Sequence, residues 1–199
     1  MDCIEIKKDL RKTMLAKRAA ISAAERKEAN QKIFQSITSL PEYEDALTIF
    51  VYVSVMDEPD TTALIKDAWK QGKKVCIPRC MELGTMHAYL LQDMNDLQEG
   101  RYGIPEPNDS CQRVEPEEID LIIVPCVCCG VDGYRLGYGG GFYDRWLEKR
   151  SAPAAILCYE DMLMSSVPCE IHDQRTDILV SSAPESVLRF PDNRETLSE

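Results

Sequence analysis

The chain has 199 residues, with 34 acidic against 23 basic side chains and a net charge of -11. That acidity excludes a protein whose main partner is nucleic acid or an anionic membrane surface, so any anionic ligand has to be met by positive charge gathered locally. No run approaches the ~18 apolar residues of a membrane span, and the N-terminal stretch lacks the apolar core of a signal peptide. One domain over residues 1–190, a polar tail over 191–199 and a cytoplasmic location are expected.

In chain order, Ile6, Leu10, Met14 and Ile21 recur as on an amphipathic helix over residues 4–21, with that face packed inward. On an adjacent face Lys7 and Arg11 stand four apart with Lys8 alongside, placed to converge on one anion or to form a solvated basic face. Ser22-Ala23-Ala24-Glu25 reads as a capping box opening a second helix, whose Ile33, Phe34 and Ile37 are buried until Pro41 stops it. Leu47 to Val53 reads as a central strand covered on both faces. A helix from Thr62 to Gln71, stopped by Gly72, leads to a strand at Val75 to Pro78, and this strand, helix, strand order implies a parallel pair.

Met86 to Leu91 makes another strand. The polar, Pro-rich segment from Gln92 to Glu118 reads as loops around the active face, stiffened where Pro105 and Pro107 flank Glu106. Leu121 to Pro125 is an apolar strand that leads into a glycine cluster, Arg135-Leu136-Gly137-Tyr138-Gly139-Gly140-Gly141-Phe142-Tyr143-Asp144-Arg145. A helix from Phe142 to Lys149 and strands at Ala154 to Tyr159 and Ile178 to Val180 complete the pattern. It is that of an α/β fold, a three-layer sandwich with a mostly parallel central sheet flanked by helices.

The nine cysteines show no paired C-x-x-C motif, and Cys126, Cys128 and Cys129 close an apolar strand, where free Cys serves as a small hydrophobe. Cys169 and His172 have ligand spacing but no second pair to complete a site. Free thiols are the expected state.

The glycine cluster, lying between a strand and a helix, is either a tight turn or an anion site. Neither known phosphate signature fits it. No Gly-Lys-Ser or Gly-Lys-Thr is present, and with Gly137 and Gly139 as the first glycines of G-x-G-x-x-G the third falls on Phe142. What remains is a different triphosphate cradle, with Asp144 positioned to reach a Mg²⁺ on the phosphates.

These residues resemble the 5-formyltetrahydrofolate cyclo-ligase family. The resemblance runs over nearly the whole chain: Lys7-Lys8-Asp9-Leu10-Arg11, Asp57-Glu58-Pro59-Asp60-Thr61, Ile77-Pro78-Arg79, Gly103-Ile104-Pro105-Glu106-Pro107, Arg135 to Arg145, and Val167-Pro168 with His172-Asp173. It implies conversion of 5-formyltetrahydrofolate and ATP into 5,10-methenyltetrahydrofolate, ADP and phosphate, with Mg²⁺ as cofactor and ATP as co-substrate. By the same resemblance ATP is bound by Lys7, Lys8, Asp9, Leu10 and Arg11 with Arg135, Leu136, Gly137, Tyr138, Gly139, Gly140, Gly141, Phe142 and Tyr143. Asp144 and Asp173 would hold the metal, and Val53, Glu58, Tyr102 and Tyr138 the folate. Lys7, Arg11, Tyr138 and Arg145 form the implied catalytic set, Arg145 having a surface ion pair as its alternative. The partners are small molecules, with a monomer expected and a dimer as the alternative.

The implied chemistry is attack of the formyl oxygen on the γ-phosphorus, giving an N5-iminium phosphate that ring closure by N10 then resolves. Such a reaction asks for positioning and charge stabilisation rather than a protein nucleophile. Two positions depart from the family pattern. Cys126 stands where a Gly follows the strand-ending Pro, and Gly130 stands where an Asp is usual, with Asp132 as its candidate substitute. His172 reads as a residue ordering Asp173 or as a general base, and His87 as an ordinary strand residue. A non-catalytic nucleotide- or sugar-phosphate-binding relative of the same fold is the competing reading.

Overall fold

A computed structural model of the chain describes residues 2–191, the side chains of Leu83 and Tyr102 excepted; the expected polar tail lies almost wholly outside the described residues. The elements begin with helices α1 (Cys3–Ala19), α2 (Ala23–Thr38) and α3 (Pro41–Asp45), then strand β1 (Thr48–Val51), helix α4 (Thr62–Lys70) and strands β2 (Lys74–Cys80) and β3 (Met86–Leu91). Three short strands follow, β4 (Leu97–Glu99), β5 (Pro105–Pro107) and β6 (Arg113–Val114), then β7 (Leu121–Val124), β8 (Cys128–Gly130) and β9 (Arg135–Leu136). Helix α5 (Phe142–Leu147) and strands β10 (Ala154–Cys158), β11 (Leu163–Met164), β12 (Ile178–Ser181) and β13 (Val187–Arg189) close the chain.

The main sheet has the order β13-β12-β10-β7-β1-β2-β3-β6. Its five central strands, β12 to β2, are parallel, and antiparallel strands close both flanks. This is the expected α/β architecture, a large, mostly parallel sheet flanked by helices. Every residue of β1, β7, β10 and β12 is buried, as apolar strands covered on both faces must be. Phe50 of β1 stacks on Trp146 of α5 with ring centroids 4.4 Å apart, which seats that short helix.

The strand order reverses direction between β1 and β7. From β1 the chain moves outward to β2, whereas from β7 it moves the other way to β10 and β12. The crevice at the carboxyl ends of β1 and β7 is therefore the place where an open α/β sheet binds ligands. A second, three-stranded sheet has the order β11-β8-β9, and its β8–β9 hairpin connects the end of β7 to the glycine cluster.

Several expectations are corrected. Ile6 is 40 % exposed, because the inward stripe of α1 runs through Lys7, Leu10, Arg11, Met14 and Arg18 rather than through Ile6. The capping box of Ser22 and Glu25 is present, but α2 ends at Thr38 and Pro41 opens α3 rather than stopping α2. Leu47 is exposed and the first strand is four residues long, so Tyr52 and Val53 belong to the loop that follows it. The segment 92–118 is more ordered than a run of loops. Its β4–β5 ribbon buries Glu106, whose Oε1 accepts from Cys80 N at 3.1 Å. Helix α5 ends at Leu147, two residues before the expected Lys149.

Candidate active site

The glycine cluster follows β9 directly. Gly139 (φ 97°) and Gly141 (φ 64°) lie in the left-handed region, where a side chain is strained, so the loop bends there as the sequence required. Gly141 caps a helix of only six residues. A dipole that short adds little, so an anion at this loop depends on free backbone N–H groups and on side-chain cations.

Helix α1 supplies those cations. Arg11 Nε donates to Gly137 O at 2.7 Å, and its guanidinium lies 3.4 Å from where a Cβ on Gly139 would sit. Lys7 is buried, and its Nζ donates to Glu170 Oε2 at 2.8 Å and to Asp173 Oδ2 at 2.5 Å. Burial alone would lower the Lys7 pKa, but these two carboxylates outweigh it and raise it, so the ammonium stays charged. Asp173 shows the mirror effect: burial would raise its pKa, while Lys7 and the Glu170 N–H hold it below the ordinary value. Lys8 and Asp9, one step round the helix, are exposed to solvent and do not converge with Lys7 and Arg11; Leu10 is half-buried against the core.

The crevice's acid comes from the loop after β1. Glu58 is buried, with Oε2 accepting from Val55 N at 2.9 Å and Oε1 accepting from the Tyr138 hydroxyl at 2.6 Å. Tyr138 in turn accepts from Arg18 Nη2 at 2.7 Å, and Arg18 Nη1 donates to Cys126 O at 3.0 Å. Burial raises the Glu58 pKa against these hydrogen bonds, which favour the carboxylate. Arg18 is the functional residue that the sequence reading missed. Its signal was its place on the stripe of Lys7, Arg11 and Met14, the next turn along the same helix face. Val53 is half-buried beside Glu58 in sequence space, and Tyr102 has no described side chain.

Asp144 and Asp173 come from adjoining segments. Asp144 Oδ1 accepts from Arg135 Nη2 at 3.0 Å and from Gln174 N at 3.1 Å, which ties α5 to the residue after Asp173. Each carboxylate thus keeps one oxygen with no hydrogen bond among the described residues, Asp144 Oδ2 and Asp173 Oδ1. Carboxylate oxygens are the donor type that a hard cation takes. His172 is exposed and its Nε2 lies 3.9 Å from Asp173 Oδ1, beyond hydrogen-bond distance.

Arg145 makes no surface ion pair among the described residues. It donates to Gly140 O at 2.6 Å and Gly84 O at 2.9 Å, clipping the turn before β3 to the glycine loop. The Tyr143 hydroxyl is buried with no hydrogen-bond partner among the described residues. Asp132, the candidate substitute for Gly130, accepts from Tyr134 N at 3.2 Å through Oδ1, and its carboxylate occupies the space that a Cβ on Gly130 would take. A cavity of about 760 Å³ lies alongside β2 and β3, lined by Arg79, Cys80, His87, Arg101 and Glu106, so His87 is a cavity residue as well as a strand residue.

The thiols are free, as expected, but not scattered. Cys126, Cys129 and Cys158 are buried with their sulfur atoms all within 4.8 Å of one another. Cys126 and Cys129 do stand at C-x-x-C spacing, the part of this cluster that was visible in the sequence.

An open α/β sheet whose switch-point crevice joins a cation-bearing helix, a glycine loop and a buried acid defines a class: an enzyme fold for small anionic substrates bound at strand ends. Within that class the chain belongs to the 5-formyltetrahydrofolate cyclo-ligase family, whose model matches residues 3–182. It is 33 % identical over 184 residues to the 5-formyltetrahydrofolate cyclo-ligase of Haemophilus influenzae, covering 88 % of this chain and 96 % of that protein. To the mouse protein of the same name it is 27 % identical over 195 residues, covering 90 % and 96 %. The solved structure of Aquifex aeolicus 5,10-methenyltetrahydrofolate synthetase matches with a TM-score of 0.83 at 32 % identity, over 95 % of each chain.

Proposed function

We propose that the protein uses ATP to convert 5-formyltetrahydrofolate into 5,10-methenyltetrahydrofolate, releasing ADP and phosphate. The observation that carries this reading is that adjoining residues of one loop are bonded to a cation and to a buried acid. Gly137 is held by Arg11, a phosphate-type cation, while the next residue, Tyr138, is held to Glu58, an acceptor for ring N–H groups. Two substrates bound at adjoining residues of one loop meet at that loop, which is what a phosphoryl transfer between them needs.

In this reading Arg11, Lys7 and the loop amides neutralise the phosphate oxygens, and Glu58 accepts from the pterin, its position fixed by Tyr138 and Val55 N. The formyl oxygen attacks the γ-phosphorus as ADP leaves. N10 then attacks the formyl carbon and gives up its proton as the carbon–oxygen bond breaks, and phosphate leaves carrying that oxygen and the proton. Arg145, bonded to the carbonyls of Gly140 and Gly84, holds the loop's shape rather than reaching the γ-phosphate itself. The Tyr143 hydroxyl is a donor that the bound folate would satisfy. Asp144 and Asp173 are the residues that would hold Mg²⁺, which supplies charge neutralisation for the triphosphate.

The test is direct. Protein, Mg²⁺ and ATP are incubated with 5-formyltetrahydrofolate while near-ultraviolet absorbance of the methenyl product and release of ADP are followed together. Equal, ATP-dependent yields of both are expected, and product formation without ADP would overturn the mechanism.

A further inference from the structure

Three sulfur atoms meet directly behind the active-site loop. Ile156 of β10 pairs with Val124 of β7, so Cys158 and Cys126 stand two residues further along neighbouring parallel strands. Cys129 joins them from β8, which is fixed between Leu136 on one side and Leu163 on the other. Each of the three is at most 3 % exposed, and each sulfur lies within 4.8 Å of the other two. No nitrogen or carboxylate side chain completes the set among the described residues.

The geometry points to a binding site for a soft monovalent cation of the copper(I) type, held by the sulfurs of Cys126, Cys129 and Cys158. Donor chemistry selects the ion. Three sulfurs with no oxygen ligand disfavour any hard cation, and zinc completes four ligands where this cluster offers three. The Cys126 and Cys158 thiols donate to the carbonyls of Leu157 and Tyr159 at 3.6 and 3.4 Å, contacts that a bound cation would replace. On binding, metal–sulfur bonds replace sulfur–hydrogen bonds, the protons pass to solvent, and no electron is transferred.

The site is linked by hydrogen bonds to the buried acid of the crevice, Glu58. The carbonyl of Cys126 accepts from Arg18, which donates to Tyr138, which donates to Glu58. A cation that draws Cys126 toward Cys129 and Cys158 shifts the carbonyl anchoring this chain, so occupancy should alter folate affinity without touching either substrate. This consequence, unlike the metal site itself, rests on the proposed role of Glu58.

Because the sulfurs are buried, the full-length reduced protein is loaded anaerobically with copper(I) from its acetonitrile complex in two ways, into the native protein and during refolding. It is then desalted, and retained copper is measured against a competing chromophoric chelator. A single copper(I) per chain, with three sulfur neighbours by X-ray absorption, is expected. Cys126→Ala and Cys158→Ala should weaken retention on the order of 100-fold, while Cys3→Ser and Cys169→Ser leave it unchanged. No retained copper by either route, fewer than three sulfurs, nitrogen or oxygen in the first shell, or tighter retention of zinc would each overturn the site. The X-ray absorption of the wild-type protein decides even where an alanine variant fails to fold. These readouts use neither ATP nor folate, so they stand or fall apart from the proposed activity.

Discussion

The hydroxyl of Tyr138 donates to Glu58 Oε1 at 2.6 Å, joining the glycine loop to the loop after β1 across 80 residues of chain. Tyr138 also accepts from Arg18, so the hydroxyl sits between a buried cation and a buried acid. Removing it orphans both neighbours. Tyr138→Phe should therefore cost about 1–3 kcal/mol where the acid binds substrate, seen as a rise of about 5- to 100-fold in KM for 5-formyltetrahydrofolate. The KM for ATP should change far less, since Arg11 and the loop backbone are untouched. Equal increases in both constants would show that Tyr138 shapes the loop as a whole instead of serving Glu58.

Glu58 makes a prediction about pH. Burial raises its folded-state pKa above the ordinary 4.5, so the native protein holds this proton more tightly than the unfolded chain. Stability linked to this group is then greatest below 4.5 and declines as pH rises through the folded pKa, because over that window the native state binds more protons than the unfolded one. Glu58→Gln removes the titration. It also offers an amide where Val55 N or Tyr138 needs an acceptor, a cost that does not vary with pH. Thermal denaturation of both proteins across the acid range should show the variant gaining on the wild type as pH rises above 4.5. A constant difference in Tm would contradict the raised pKa.

Much of the fold was legible because its signals are local. Met86–Leu91 is a strand with the expected ends, and Leu121–Val124 and Ile178–Ser181 follow from apolar runs too short for helices. Lys7 and Arg11 were legible as an i, i+4 pair, and the structure places both at the site. What the local pattern could not convey is where each helix face points. Ile6 looked like core and is exposed, while Arg18, which the sequence reading passed over, is 3 % exposed, because the face of α1 turned inward meets a polar crevice as well as apolar core. The third member of the sulfur cluster was illegible for a different reason. Cys158 meets Cys126 only through the parallel pairing of β7 with β10, a long-range contact that no spacing rule contains.

Gly137 and Gly139 separate a strained loop from a filled one. Gly139 has φ 97°, so Gly139→Ala should lose about 1–3 kcal/mol of stability through backbone strain, its Cβ resting in ordinary contact with the Arg11 guanidinium. Gly137 has no positive φ, and a Cβ there would meet nothing within 4 Å. Gly137→Ala should leave Tm unchanged while raising KM for ATP, since the open space beside that backbone is where phosphate would approach. An unchanged KM would mean that the phosphates do not pass Gly137.

Asp144→Asn tests the metal reading with the least structural disturbance. The carboxylate's Oδ1 accepts from Arg135 and from Gln174 N, and an asparagine oxygen can keep both bonds while the second oxygen becomes an amide. The variant should fold normally, because the tie between α5 and residue 174 survives. It should lose the charge and the free oxygen that a hard cation requires. The expected result is a fall in kcat of about 100-fold or more with a rightward shift of the Mg²⁺ titration. A parallel Mg²⁺ titration of ATP binding, followed by calorimetry, should show the same weakening. If kcat falls while Mg²⁺ dependence stays that of the wild type, Asp144 acts through its ion pair with Arg135, and the metal is held by other groups.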